Sequence, residues 1–278
     1  MLDALFQPFN LGQIELRNRI VMPPMITLLA SESGAVTQRM IDYYSERAKG
    51  GVGLIIIESA YALEADRDFG RLGIGNPQLQ VGLSELVESI QEWGARVFLQ
   101  INHRGSLLSI HKGKGPDELT LEEMETITES FSLAALRAKK AGFDGVEIHG
   151  ANVYLIAQFL SPLTNHRQDK YGGGLEGRMK FLMDVFLRIR QKVGAEYPVT
   201  LRMAGHEHTE GGLQLTDTQF CSTHGGSRSE RLAHFGGEPG CPLLACSTHG
   251  RTQGLPRSPS GSDQKGCKNT RHRRGEDQ

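Results

Sequence analysis

Short apolar runs rich in β-branched residues alternate with longer stretches of helical periodicity along the first 220 residues. The run from Leu54 to Ile57 has no polar residue within it, which is typical of a parallel strand buried on both faces. The pattern predicts five such strands, over residues 20–22, 53–58, 96–101, 145–149 and 199–203. This alternation indicates repeated β–α units around a parallel sheet.

The intervening stretches predict helices. Thr37 is suited to cap a helix that runs to Lys49, and Thr120 with Glu123 forms a capping box for a helix that reaches about Lys140. Another amphipathic run predicts a helix over residues 175–193. One further helix is predicted from an apolar stripe with spacings of three and four, made of Leu79, Leu83, Leu86, Val87, Ile90 and Trp93.

Five β–α units fit either a doubly wound sheet or a (β/α)8 barrel of the TIM type. A dinucleotide-binding fold would place a G-x-G-x-x-G motif directly after its first strand, but Pro23, Pro24 and Met25 follow that strand here. We therefore predict an α/β fold of the (β/α)8 TIM-barrel type. Because only five of the eight strands are recognisable, we expect the barrel to be incomplete.

Composition changes abruptly near Phe220. All four cysteines follow this residue, and residues 221–278 hold ten Gly, seven Ser and four Pro but only five large apolar or aromatic residues. Such a segment can hardly bury enough apolar area to offset the entropy of ordering it. We therefore predict a partial TIM-barrel domain over residues 1–220 and a low-complexity, disordered tail over residues 221–278.

Charge gives no reason to expect a polyanionic partner. The 278-residue chain has a formal net charge of −1, divided into +4 for the tail and −5 for the part before it. No apolar run approaches the roughly 18 residues that cross a bilayer, and residues 1–10 lack the features of a signal peptide. We expect a cytoplasmic protein with a small-molecule substrate, without nucleic-acid or membrane partners, and with homo-oligomerisation left open.

Polar residues follow the predicted strands at their carboxyl ends, where ligands bind in both folds considered. No G-x-S-x-G, H-E-x-x-H or P-loop motif is present, so the common hydrolase, zinc-protease and nucleotide-hydrolase interpretations have no support. The candidate residues at this edge of the sheet are Pro24, Met25, Ser59, Gln100, His149, Asn152, Tyr154 and Arg202.

The segment from His149 to Leu155, followed by Gln158 to Pro162 and Tyr171 to Gly173, strongly resembles the old yellow enzyme family of FMN-dependent ene-reductases. That family includes NADH:flavin oxidoreductases and the amino-terminal barrel of bacterial 2,4-dienoyl-CoA reductases. Weaker matches occur at Leu5 to Pro8 and Asn18 to Met22. The resemblance covers residues 5 to about 213, and its most specific part is the long segment that begins at His149.

The resemblance implies FMN as cofactor and NAD(P)H as hydride donor. It assigns the amide of Gln100 to the pyrimidine edge of the flavin, and Arg202 to the part of the ring that becomes anionic on reduction. A guanidinium suits that role because it stays charged at any working pH. The backbone of Pro24, Met25 and Ser59 would line the remaining edges of the ring.

The resemblance also implies an FMN-dependent oxidoreductase of the ene-reductase type. Its substrate would be an α,β-unsaturated carbonyl compound whose oxygen accepts hydrogen bonds from His149 and Asn152. Reduced FMN would deliver hydride to the β-carbon, and Tyr154 would protonate the α-carbon, since a phenol holds its proton at neutral pH.

Several positions depart from the family pattern. Ile26 stands where many relatives have Thr or Cys, Ser106 where an arginine is usual, and Gly174 and Gly177 where Ser and Asn are usual. The chain between Gly105 and Pro116 is also shorter than in relatives. No residue can be nominated for the FMN phosphate, which in this fold is commonly bound by the last two loops. We therefore expect FMN binding to be weak or absent.

Two other interpretations stay open. The chain could be a catalytically silent fragment of such an enzyme, truncated or frameshifted near Phe220, in which His149, Gln100 and Arg202 only satisfy hydrogen bonds at the end of the sheet. Alternatively, the tail could be a small metal-binding or nucleic-acid-binding module. Its support is Cys221-x-x-His224, Cys246-x-x-His249 and the basic cluster at residues 271–274. The sequence pattern predicts no strands or helix in the tail to organise such a site, aromatic residues are almost absent from it, and we predict no metal site.

Overall fold

A β-hairpin opens the chain in the structure, a computed structural model that describes residues 2–107 and 113–218. Strands β1 (Phe9–Leu11) and β2 (Ile14–Leu16) pair antiparallel. Leu11 and Leu16 from this hairpin pack with Leu54, Ile56 and Phe98 in a small apolar cluster. The hairpin therefore covers one end of the main sheet. Sequence periodicity did not predict it, because each of its strands has only three residues.

The main sheet is parallel and has five strands among the described residues, in the order in which they occur along the chain. This succession of neighbouring parallel strands is that of consecutive barrel strands. The strands are β3 (Val21–Met22), β4 (Leu54–Tyr61), β5 (Arg96–Asn102), β6 (Gly145–Gly150) and β7 (Val199–Met203).

Helices connect the strands. Five α-helices lie wholly within the described residues: α1 (Gln38–Lys49), α2 (Gln80–Gln91), α3 (Leu121–Lys140), α4 (Leu155–Leu160) and α5 (Leu175–Val193). Short 3-10 helices occupy Leu2–Phe6, Glu64–Asp66, Pro77–Leu79, Gly105–Leu107 and Pro116–Glu118. The predicted caps are present: Thr37 accepts from the backbone N–H of Met40, and Thr120 with Glu123 forms the reciprocal capping box.

Alternate residues of the strands face two different environments. One set joins the helices in the large hydrophobic core: Ile55, Ile57, Val97, Leu99, Ile101, Val146, Ile148, Val199 and Leu201. The opposite set is apolar near the hairpin, where Leu54, Ile56 and Phe98 lie, and polar toward the carboxyl ends, where Gln100, Glu147 and His149 are buried. We call these polar residues, with their neighbours at the strand ends, the polar rim.

All five predicted strands and the four predicted helices are present. Strand β4 extends three residues beyond the predicted end, to Tyr61, and an irregularity in its pairing falls between Ile57 and Ala60. The assignment of Trp93 to the buried stripe is wrong: α2 ends at Gln91, and Trp93 is 43% exposed. Helix α4 was not predicted, because its six residues are all buried and show no amphipathic period.

The tail proposed over residues 221–278 and its suggested metal or nucleic-acid module lie outside the described residues. Within the described ranges, no helix is long and apolar enough to cross a membrane.

A close backbone approach explains one departure from the family pattern. A Cβ atom at Gly177, in the first turn of α5, would lie 2.0 Å from the carbonyl oxygen of Gly172. At Gly174, which caps α5 with φ −64°, no atom lies within 4 Å of an added Cβ. The loop before α5 therefore requires glycine at one of these positions and tolerates a side chain at the other.

We predict that Gly177→Ala lowers the free energy of unfolding by about 1–3 kcal/mol, because a backbone atom must move. This cost exceeds the gain of about 1 kcal/mol that alanine normally brings to a helix. Gly174→Ser serves as the matched control, since serine is a good N-cap and should leave stability unchanged or slightly higher. Urea unfolding of both variants tests this, and a stabilised G177A variant would show the described loop packing to be wrong.

Candidate functional site

The register of β5, β6 and β7 brings the polar rim together. Gln100 pairs with Glu147 across the first two strands, and His149 pairs with Arg202 across the last two. Paired residues of neighbouring parallel strands project from the same face of the sheet. The Gln100 amide accordingly donates to Glu147, with Nε2 2.7 Å from Oε1.

His149 is a buried, neutral imidazole. It is 3% exposed, and its Nδ1 has no hydrogen-bond partner among the described residues. Burial, together with the positive charges of Arg202 and Arg71, lowers its pKa to about 3. A neutral imidazole can donate through one ring nitrogen without bringing a charge into the site. An uncharged ligand oxygen is therefore a suitable partner.

Tyr154 lies against His149, with ring centroids 4.7 Å apart and planes inclined by 64°. The connecting turn is strained, since Asn152 and Val153 both have φ near +55°. This region is unfavourable for a β-branched residue such as Val153, and such strain clusters at functional sites. The side chain of Gln158 holds the turn by donating to the carbonyl of Val153 at 2.7 Å. The structure therefore brings His149, Asn152 and Tyr154 to one place.

Arg202 is a cation at the rim that contacts no carboxylate of the described residues. Its Nε is buried and has no hydrogen-bond partner among the described residues. The carboxyl of Glu147 lies near enough for Arg202 to lower its pKa, but the two form no ion pair in the described part of the chain. A guanidinium held in this way is available to a ligand that carries or develops negative charge.

The loop that follows β3 is fixed by a buried carboxylate. Oε2 of Glu58 accepts a hydrogen bond from the backbone N–H of Thr27 at 2.9 Å, and it also accepts from the Thr27 hydroxyl and from Tyr44. Burial raises the pKa of Glu58, although these hydrogen bonds oppose the shift. This anchoring sets the position of the preceding residues, of which Pro24 is buried and Met25 is 57% exposed.

Two rim residues were not selected from the sequence. Glu147 is 2% exposed, and burial raises its pKa to about 7 against the opposing influences of Gln100 and Arg202. Asn102 is 1% exposed, and neither atom of its amide has a partner among the described residues. The sequence contained a signal for both, because Glu147 is a charged residue inside a strand predicted to be buried and Asn102 directly follows the predicted end of another.

These residues fit the ring of a flavin. Unpartnered buried polar atoms on Asn102, His149 and Arg202 provide donors and an acceptor at one end of the sheet. The exposed side chains of Met25 and Ile26, 57% and 39% accessible, provide apolar surface after the carboxyl end of β3. An isoalloxazine ring combines one apolar edge with one edge of amide-like groups. The donor set therefore matches this ring, although the described residues suggest no site for a phosphate.

The parallel β–α units, with polar residues at the carboxyl ends of the strands, are those of the (β/α)-barrel fold class. The profile of the NADH:flavin oxidoreductase / NADH oxidase family matches residues 4–229. The chain belongs to this family. The match passes nine residues beyond the domain boundary that composition suggests.

Curated proteins with similar sequences agree with this assignment. An NADH oxidase of Thermoanaerobacter brockii is 43% identical over 235 residues, and an NADPH dehydrogenase of Clostridium acetobutylicum is 37% identical over 234 residues. These matches cover 77% and 78% of this chain. The chain spans 36% of the length of the first relative and 68% of the second.

Solved structures with the same fold include an old yellow enzyme from Pichia sp. AKU4542 and morphinone reductase in complex with tetrahydroNAD. Their TM-scores to this chain are 0.75 and 0.73, each at 28% identity and covering 83% of this chain. The alignments cover 69% and 72% of those two proteins. These comparisons confirm the TIM-barrel fold class and imply FMN as the cofactor with NADH or NADPH as reductant. The five-stranded sheet is thus part of such a barrel.

We predict that His149 and Glu147 make opposite contributions to the pH dependence of stability. The His149 pKa is about 3 when folded and 6.5 as its ordinary value, so its stabilising contribution is complete above pH 6.5 and is lost as pH falls toward 3. The Glu147 pKa rises from 4.5 to about 7, so its contribution is complete below pH 4.5 and is lost as pH rises through 7.

The measurement is the free energy of unfolding of the wild type, His149→Gln and Glu147→Gln from pH 4 to 7.5. The free energy of unfolding of the wild type minus that of H149Q should rise with pH below pH 6.5. The slope should reach at most about 1.4 kcal/mol per pH unit, which corresponds to the binding of one proton. The wild-type minus E147Q difference should fall with pH between about 4.5 and 7. If neither difference in the free energy of unfolding changes with pH, His149 and Glu147 are not buried as described.

Proposed function

We propose that this chain is an FMN-dependent oxidoreductase of the ene-reductase type. The observation that carries the proposal is the arrangement at the end of β6, where the buried neutral His149, the strained Asn152 and the adjacent Tyr154 lie opposite Arg202. The substrate class would be α,β-unsaturated carbonyl compounds. When bound, reduced FMN supplies a hydride to the substrate's β-carbon and is regenerated by NADH or NADPH.

The residues of this chain would supply the remaining parts of the reaction. His149 and Asn152 donate hydrogen bonds to the substrate's carbonyl oxygen, which draws electron density from the conjugated double bond. The Tyr154 hydroxyl gives its proton to the α-carbon and is reprotonated from solvent. One hydride and one proton are thus added across the double bond, and one NAD(P)H is oxidised for each saturated product.

The cofactor-facing residues would be Gln100 and Arg202, with the backbone of Pro24, Met25 and Ser59. Arg202 would stabilise negative charge on the reduced flavin, because its guanidinium has no carboxylate in contact among the described residues. Glu147 would hold the Gln100 amide in orientation through their 2.7 Å hydrogen bond. The anchoring of the β3 loop by Glu58 would fix the wall formed by Pro24 and Met25.

A catalytically silent fragment is the second candidate. The observation that favours it is the open sheet of the described residues, in which β3 and β7 each have only one neighbour. An open parallel edge leaves unpaired backbone groups and is unfavourable for an isolated domain. This candidate predicts neither flavin binding nor turnover.

The test is reduction of 2-cyclohexenone by the full-length chain with FMN and either NADH or NADPH. We predict that Tyr154→Phe slows the reoxidation of the reduced flavin by the enone roughly 100-fold to 10,000-fold, the range typical for loss of a general acid. Stopped-flow absorbance of the flavin separates this step from reduction by NAD(P)H.

Tyr43→Phe is the matched control, because it removes a phenol from a half-buried position on α1 that does not belong to the polar rim. Turnover by the wild type with an equal rate in Y154F would contradict the role of Tyr154. Absence of both bound flavin and turnover in the wild type would favour the silent fragment instead.

A further inference from the structure

A second buried guanidinium lies beside the site and takes no part in the proposed reaction. Arg71 is 9% exposed, and its Nη2 donates to the hydroxyl of Ser59 at 3.0 Å. Ser59 follows Glu58 at the irregularity near the end of β4. The positive charge of Arg71 also acts on His149, whose pKa it helps to lower. Arg71 therefore belongs to the same rim as the proposed substrate-binding residues.

The backbone around Arg71 is fixed on both sides. The carbonyl of Gly70 accepts from the N–H of Ala30, and the carbonyl of Leu72 accepts from the N–H of Tyr61 at 3.0 Å. Leu72 is fully buried in the hydrophobic core, and neighbouring residues of an extended segment project to opposite sides. The fold thus directs Arg71 away from the core and towards Ser59.

Arg71 forms no ion pair with any described residue. Two carboxylates are close enough for the charge of Arg71 to lower their pKa, but neither forms a hydrogen bond with it: Oε2 of Glu58 accepts from Thr27 and Tyr44 while its Oε1 has no partner among the described residues, and Asp68 accepts from Arg104 at 2.5 Å. Nε and Nη1 of Arg71 donate no hydrogen bond within the described ranges, since Ser59 is its one side-chain acceptor there. Removing a charged group from water without a partner is costly.

Arg104 is a buried arginine near the same loop, and its contacts are those of a residue with a purely structural role. It is 7% exposed, and it contacts Asp66 at 3.1 Å and Asp68 at 2.5 Å. The guanidinium of Arg104 is therefore paired with two carboxylates, whereas that of Arg71 keeps N–H donors that bind no described residue. A planar guanidinium with free donors matches a carboxylate, which can accept two parallel hydrogen bonds.

We propose that Arg71 is a specificity-determining residue that binds a carboxylate on the substrate, so that the preferred substrates are α,β-unsaturated compounds carrying a free carboxylate. This inference rests on the proposed function for the identity of the reacting double bond. The ion-pairing role rests on the contacts of Arg71 alone. A neutral enone would gain nothing from this residue, whereas an unsaturated acid would complete its missing ion pair.

The experiment compares two probes that differ only in charge, trans-cinnamate and trans-cinnamamide. Their affinities for the full-length chain are measured by isothermal titration calorimetry, with and without FMN. We expect the wild type to bind cinnamate at least tenfold more tightly than the amide. In Arg71→Gln, the ratio of the two affinities should fall to within twofold of one. Arg71→Lys keeps the charge and should retain part of the preference.

Arg67→Gln is the matched control, because it removes the same charge from an exposed position in the same loop. It should preserve the wild-type ratio, and thermal unfolding of each variant shows whether it is folded. The inference is overturned if the wild type shows no preference for cinnamate, or if R71Q or, should R71Q not fold, R71K weakens both probes equally.

The same samples separate this inference from the proposed function. Arg71-dependent cinnamate binding without flavin binding or enone turnover would refute the ene-reductase activity and keep the anion site. Turnover of 2-cyclohexenone without any Arg71-dependent preference would keep the activity and refute the carboxylate site.

Discussion

The register of three parallel strands determines the character of this site. Because β5, β6 and β7 pair without offset at their carboxyl ends, Gln100 meets Glu147 and His149 meets Arg202 on one face of the sheet. A slip of one residue would turn these side chains toward the helices and bring Ile101, Ile148 and Leu201 to the rim. The hydrophobic core under the helices therefore fixes the polar chemistry on the other side of the sheet.

Burial then sets the charge state of each group in the rim. His149 is kept neutral by desolvation, while Glu147 is driven toward its protonated form by the same cause. The guanidinium of Arg202 stays charged. A neutral hydrogen-bond donor next to a fixed cation suits a reaction in which a carbonyl is polarised and negative charge develops on a neighbouring ring.

Periodicity predicted the parts of the fold that are long and regular. The strands around Leu54 and the capped helices at Thr37 and Thr120 follow from local rules that tertiary packing did not override. The β1–β2 hairpin and α4 were not predicted, because three-residue strands and a six-residue buried helix carry too little pattern. Trp93 was misassigned because its spacing fits the stripe, although α2 ends at Gln91.

The sequence predicted the part of the candidate site that directly follows β6, in the segment around His149, because polar residues after a strand end mark the ligand-binding edge of a parallel sheet. Glu147 and Asn102 were not selected, because the sequence does not reveal that Glu147 binds the Gln100 amide or that the Asn102 amide has no partner among the described residues. The same holds for Arg71, which cannot be distinguished from Arg104 until the ion pairs of the latter with Asp66 and Asp68 are known. Pairing, rather than residue type, separates structural from ligand-binding groups here.

We propose that the rim binds the ring of a flavin through Arg202, whose guanidinium has no ion-pair partner among the described residues. Fluorescence titration of the full-length chain with riboflavin and with FMN tests this binding, because riboflavin lacks the phosphate. We expect the wild-type protein to quench the fluorescence of both flavins, and Arg202→Gln to bind both at least tenfold more weakly. Absence of quenching with either flavin, or equal binding by the wild type and R202Q, would contradict it.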